Sequence, residues 1–122
     1  MAAVLIVDDE VLIRWALRRY FEDRFEVLEA GDGSSALAQL ERHDGKIVLG
    51  FVDLRLPDGD RKGLEILRVL KAHDPAAHAV VMTAFATPEM IEEAMAAGAI
   101  AVIDKPFDLD AMGRMLDLHP PA

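Results

Sequence analysis

Five strand-length apolar runs alternate with amphipathic stretches along this chain, and that alternation most restricts what it can fold into. The runs at 3–7, 46–52 and 79–82 are nearly continuous in aliphatic residues instead of alternating with polar ones. Strands of that kind are buried on both faces, so helices must cover both sides of the sheet. Two further runs, at 25–29 and 100–103, complete the set. Between them the apolar spacing predicts helices over 10–22, from Asp32 to about His43, and from near Gly63 to His73. Asp32-Gly33-Ser34 can start a helix because the aspartate oxygen accepts a free first-turn amide. Thr87-Pro88-Glu89 starts the next one in the same way, with proline suited to the first turn, and Gly98 ends it in a left-handed conformation. Asp108 caps a last helix to about Leu118, closed by Pro120-Pro121. Five βα units predict the α/β class, with a three-layer, doubly wound parallel sheet.

Four of the strands finish on polar residues: Asp8-Asp9-Glu10, Asp53, Thr83 and Lys105. Parallel strands bring those ends to one edge, the edge at which such sheets bind ligands. Taken singly, each residue has a plainer explanation. Asp8 and Asp9 fit helix caps, Asp53 a loop acid before Pro57, Thr83 a hydroxyl bonded back to the main chain, and Lys105 a surface lysine. Five matching residue types ending four strands outweigh those separate explanations. Three carboxylates at one edge repel each other and raise one another's pKa. Mg²⁺ relieves that repulsion, since it takes oxygen ligands and bridges carboxylates to phosphate. Asp53 can then attack phosphorus and form an acyl phosphate. The Lys105 ammonium and the Thr83 hydroxyl balance charge on the transferred group.

The bulk properties narrow the remaining choices. Net charge is −9, from 22 acidic and 13 basic residues, which excludes a phosphate-neutralising surface and hence direct nucleic-acid binding. Arg14, Arg18 and Arg19 fall on one helix beside Glu22 and Asp23 and fit a solvated face. The absence of cysteine excludes disulfides and thiolate chemistry. The first residues lack a basic segment and reach acid after a short apolar run, so they form a strand and not a signal peptide. No run is long enough to span a membrane. A cytoplasmic protein is expected, with one domain at 1–118 and residues 119–122 as a tail or the start of a linker.

Val7-Asp8-Asp9-Glu10, Val52-Asp53-Leu54-Arg55-Leu56-Pro57, Met82-Thr83-Ala84 and Asp104-Lys105-Pro106-Phe107 together resemble the signature of two-component response-regulator receiver domains. Asp32-Gly33-Ser34-Ser35-Ala36-Leu37 and Ala97-Gly98-Ala99 resemble that family's connecting segments. The resemblance implies a flavodoxin-like (βα)₅ fold with strand order 2-1-3-4-5. It implies a regulatory phosphoacceptor, not an enzyme with a separate substrate. Asp53 would take a phosphoryl group from a sensor histidine kinase or phosphotransfer protein, and output would switch by conformational change. Asp9 and Asp53 would bind Mg²⁺ directly, with the Arg55 backbone carbonyl as third ligand and Asp8 helping through water. Thr83 and Lys105 would hold the phosphoryl oxygens, Thr83, Ala84 and Val102 would form the switch region, and Pro106 is a cis-proline candidate. An output domain or self-association through the face between the fourth and fifth helices would complete the partners. That face carries Glu89, Glu92, Glu93, Asp108, Asp110 and Asp117, which disfavour symmetric pairing unless Arg114 and Lys105 offset them.

A phosphatase of the haloacid-dehalogenase kind also uses an acid after an apolar strand, but it needs a second Asp two residues on, where Arg55 stands. A receiver-like interaction domain acting without phosphorylation is the alternative that two departures keep open. First, the loop after Pro57 is longer than the family's usual Pro-x-x-x-Gly-Leu by Arg61-Lys62, either a surface insertion or a pair of charges approaching the phosphoryl group. Second, Val102 stands where the family usually has an aromatic or histidine ring, and a β-branched side chain cannot swing as a ring does. The resemblance also implies that Arg55 and Phe85, two places after the acceptor and after Thr83, would be the variable neighbours that help set acyl-phosphate lifetime. On the first helix Ile13, Ala16, Leu17 and Tyr20 make a core stripe, leaving Leu12 and Trp15 at its edge or outside. His43, His73, His78 and His119 lack metal-ligand spacing and fit the surface, whereas Met90, Met95, Met112 and Met115 fit core filling or a pairing face.

Overall fold

A computed structural model describes residues 1–59, 61–84, 86–106 and 108. Its five strands are β1 (Ala3–Val7), β2 (Glu26–Ala30), β3 (Ile47–Asp53), β4 (His78–Thr83) and β5 (Ala101–Asp104). They alternate with α1 (Val11–Phe21), α2 (Gly33–Arg42), α3 (Lys62–His73) and α4 (Pro88–Ala96). All neighbouring strands pair in parallel, in the order β2-β1-β3-β4-β5. The chain therefore reverses direction across the sheet at β1 and β3, which opens a crevice between their carboxyl ends. The last helix expected from Asp108 onward lies outside the described residues, as do Phe85, Phe107, Asp110, Met112, Arg114, Met115, Asp117 and His119.

Apolar residues on both faces of the central strands explain the two core clusters. One face carries Leu5, Val7, Val52 and Val81 toward α2 and α3, where Leu40, Ile66, Leu67 and Leu70 meet them. The other carries Val4, Ile6, Phe51 and Met82 toward Leu17 and Phe21 of α1. Burying a side chain of this size contributes about 1.5–3 kcal/mol, so the sheet's centre is its most stable part.

Caps hold the helices where the sequence suggested. Asp32 accepts the Ser35 amide at 2.7 Å, and Thr87 accepts the Met90 amide at 3.2 Å with Pro88 in the first turn. Gly98 ends α4 with φ +109°, a conformation costly for residues that carry a Cβ. On α1 the expected stripe is corrected. Leu17 and Phe21 are the buried residues, with Ile13 packed partly against the same cluster, whereas Tyr20 is 37% exposed. Phe21 follows Leu17 by four residues and enters between Phe25 and Phe51, at centroid separations of 6.1 and 5.5 Å. That turns Tyr20 to the rim, edge-on to Phe21. Leu12 and Trp15 face outward, at 79% and 54% exposure.

Candidate functional site

Asp53 is the last residue of β3, and Asp8 follows the last residue of β1. The register pairs Val7 with Val52, Asp53 with Met82 and Thr83 with Asp104, so the strand ends are nearly level. Carboxylate oxygens of Asp8, Asp9 and Asp53 consequently lie within 4.8 Å of one another. Asp8 and Asp53 are buried, at 0% and 5% exposure, and Asp9 is exposed.

Lys105 comes to this cluster from the end of β5. Its backbone amide donates to the Thr83 carbonyl at 2.9 Å, which continues the ladder past the strand and aims the side chain inward. Nζ donates to Asp53 Oδ2 at 2.7 Å and to Glu10 Oε2 at 2.8 Å. It also stands 2.7 Å from Asp8 Oδ2, an ion-pair contact not aligned as a hydrogen bond, which leaves that buried oxygen without one. Asp8 Oδ1 accepts the Glu10 amide at 2.8 Å, and Asp53 Oδ1 accepts the Arg55 amide at 3.1 Å.

Burial pushes the Asp8 carboxyl above its ordinary value, against the Lys105 contact and the Glu10 amide, which pull the other way. At Lys105 burial opposes the charge, but contacts to Asp53, Asp8 and Glu10 together outweigh it and hold the ammonium above the ordinary lysine range. One cation facing Asp8, Asp9, Asp53 and Glu10 leaves the cluster negative. An all-oxygen donor set with a buried, under-bonded carboxylate fits a hard divalent cation.

The other candidate residues occupy the same edge in different ways. Thr83 is buried, and its hydroxyl donates to the Ala84 carbonyl at 3.3 Å. Val102 pairs with Val81 two residues before the end of β5 and packs, half-buried, against the core. The Lys105–Pro106 peptide bond is cis. Arg61 and Lys62 find partners away from the acidic cluster. Arg61 pairs with Glu93 of α4, and Lys62 with Glu65 at 3.2 Å.

Several contributors carried no local signal. Glu10 is 95 positions from Lys105 and reads as a helix-start acid, yet its side chain caps nothing on α1. Asp58 accepts the amides of Gly33 at 2.9 Å and Ser34 at 3.0 Å, so the loop after β3 is tied to the start of α2. The amide of Gly33 holds the Asp58 carboxyl below the ordinary range, aided by Ser34. Gly63 lets α3 start against the end of β3, its amide donating to the Leu54 carbonyl at 3.1 Å. Arg14 and Arg18, expected to be solvated, pair with Glu29 of β2, and Arg14 also donates to the Asp8 carbonyl at 2.7 Å. That contact braces the strand end carrying the acids.

Residues 4–117 match the response regulator receiver domain. Sporulation initiation phosphotransferase F of Bacillus subtilis is 34% identical over 108 residues, covering 88% of this chain and 84% of that protein. Regulatory protein AtoC of Escherichia coli is 36% identical over 110 residues, but this chain spans only 23% of its length. Among solved structures, a CheY-like receiver domain from Methanospirillum hungatei superposes with a TM-score of 0.79 at 28% identity, covering 97% of this chain and 95% of that one. With the acids, the hydroxyl and the lysine at the carboxyl edge of a 2-1-3-4-5 sheet, and a match over nearly the whole length, this chain belongs to the response regulator receiver domain family.

Proposed function

We propose that Asp53 accepts a phosphoryl group from the phosphohistidine of a sensor kinase or phosphotransfer protein, and that the resulting acyl phosphate switches output. The observation that carries this is the single Lys105 ammonium shared by Asp53, Asp8 and Glu10 at the reversal point of the sheet. An Asp53 oxygen attacks phosphorus; an O–P bond forms, the N–P bond breaks, and its electron pair leaves with the imidazole. The Arg55 amide keeps the Asp53 carboxylate oriented through Oδ1 while this happens. Lys105, with Nζ already 2.7 Å from Asp53 Oδ2, turns a donor to the phosphoryl oxygens, a short movement for a side chain at the site. The buried Thr83 hydroxyl exchanges its 3.3 Å bond to Ala84 for a charge-assisted bond to phosphate. Asp9, Asp53 and the Arg55 carbonyl, with Asp8 in support, would hold Mg²⁺, which would supply the remaining counter-charge.

The signal leaves through Thr83 and Ala84. Val102, packed against the core, moves with its backbone instead of swinging a ring, so α4 and the segment before it carry the change. The partners are then a cytoplasmic kinase or phosphotransfer protein and an output surface or domain reached from α4. Among the described residues no helix is long and apolar enough to cross a membrane. Intact mass after incubation with acetyl phosphate tests the core of this. One phosphoryl adduct is expected with Mg²⁺, and none with EDTA or in Asp53→Asn. An adduct that persists in Asp53→Asn would place the acceptor elsewhere.

A further inference from the structure

We propose that Glu10 is a positioning residue for Lys105, and that its carboxylate sets the rate at which Asp53 is phosphorylated. The proposal rests on Asp53 being the acceptor. Glu10 sits at the start of α1 in an extended conformation, and its side chain accepts no amide from that helix. Its backbone is held on both sides. The amide donates to Asp8 Oδ1 at 2.8 Å, and the carbonyl accepts the amides of Ile13 and Arg14 at 3.1 and 3.2 Å. A rigid backbone with a free side chain suits a tether, and this one reaches Lys105 Nζ.

The three side chains around Lys105 differ in exposure. Asp8 and Asp53 are 0% and 7% exposed, whereas Glu10 is 57% exposed and stands at the solvent side of the ammonium. A lysine ammonium has three donors, and three carboxylates occupy its surroundings in the resting state. A phosphoryl group on Asp53 therefore competes with these carboxylates for Lys105. Asp8 is locked by burial and by the Glu10 amide, and Asp53 is the nucleophile itself. Glu10 is the partner that yields, and until it does it presents negative charge to an anionic donor. Glu10 thus slows phosphorylation without choosing its site.

Glu10→Gln keeps the reach and removes the charge; Glu10→Ala removes both. An exposed pair contributes up to about 1 kcal/mol, so the acetyl phosphate rate constant of Glu10→Gln should rise roughly two- to fivefold at low salt. The gain should shrink as ionic strength screens the exposed charge. The Lys105 side-chain CεH₂ resonances should shift in both variants without phosphate, which a merely structural role for Glu10 would not produce. In this test acetyl phosphate transfers its phosphoryl group to Asp53 and leaves as acetate. A wild-type adduct with unchanged rates in both variants, or a gain indifferent to salt, overturns the role of Glu10 alone. No adduct on wild-type protein, with Mg²⁺ present, overturns the phosphoacceptor reading and this inference with it.

Discussion

Gly63→Ala should be the most informative single change near the site, because the obstruction is backbone on both sides. A Cβ at position 63 would lie 2.0 Å from the Asp53 carbonyl oxygen and 2.4 Å from Leu54 Cα, where ordinary contact begins near 3.4 Å. The first shortfall is thus about 1.4 Å, too large for side-chain rearrangement to absorb. Relief requires α3 to move outward or the end of β3 to bend. Leu64, Ile66, Leu67 and Leu70 resist the first, since all four are buried against the sheet. Overpacking of this kind costs about 1–3 kcal/mol, which lowers the melting temperature of a domain this size by roughly 5–15 °C. Gly33→Ala makes a comparison in the same neighbourhood. Its Cβ would meet Lys62 Cγ at 2.5 Å, but that atom belongs to a long side chain that can swing aside. Alanine is also the better helix former there, so the net change should stay within about 1 kcal/mol. Urea midpoints at constant m-value read both variants, and the acetyl phosphate rate reads whether Asp53 has moved. A Gly63→Ala protein melting within about 2 °C of wild type would refute the close approach of α3 to β3.

Beyond the mass and rate measurements on Asp53 and Glu10, two further outcomes are expected. Asp58→Asn should destabilise the protein at neutral pH by weakening the hold on the Gly33 and Ser34 amides. Because the folded carboxyl is held below its unfolded value, that contribution is present above the unfolded pKa of 3.8 and is lost as pH falls through the folded one. The melting gap between Asp58→Asn and wild type should therefore close in acid; a gap independent of pH would locate the effect elsewhere. Trp15→Ala removes a half-exposed ring and its contact with Arg19, 5.0 Å from the ring centroid, so stability should fall by no more than about 1 kcal/mol. Loss of several kcal/mol in a melt would mean that Trp15 belongs to the core.

The sheet was legible because its physics is local. Continuous aliphatic runs such as Ile47-Val48-Leu49-Gly50-Phe51-Val52 can be covered only by helices on both faces, and the caps at Asp32 and Thr87 lie within three residues of the amides they serve. The acid cluster was legible for a related reason: in a parallel sheet the strand end is a shared address, so residue type plus position suffices. Contacts made across the fold were not. Nothing in Val7-Asp8-Asp9-Glu10 distinguishes a helix-start acid from one that reaches Lys105, and nothing around Pro57 announces that Asp58 will cap a helix 25 positions earlier. Tyr20 was misplaced because spacing alone assigns a stripe, while the ring that enters between Phe25 and Phe51 is chosen by the sheet beneath.

The same distinction bears on how this receiver is tuned. The residues read at once, Asp8, Asp9, Asp53, Thr83 and Lys105, are those to which the proposed phosphoryl transfer assigns direct roles. The residues visible only in the fold surround them at the rim: Glu10 on Lys105, Arg14 on the Asp8 carbonyl, Asp58 on α2 and Arg61 on Glu93. Glu10 and Arg14 touch the site residues directly, Asp58 and Arg61 fasten neighbouring elements, and all four are at least partly solvent-exposed. Their contributions are modest, because water and salt screen exposed charges. Under the proposed function such effects would alter a rate without deciding whether Asp53 is phosphorylated. The timing of the proposed reaction would then change by substitutions at this rim while the edge of the sheet stays as it is.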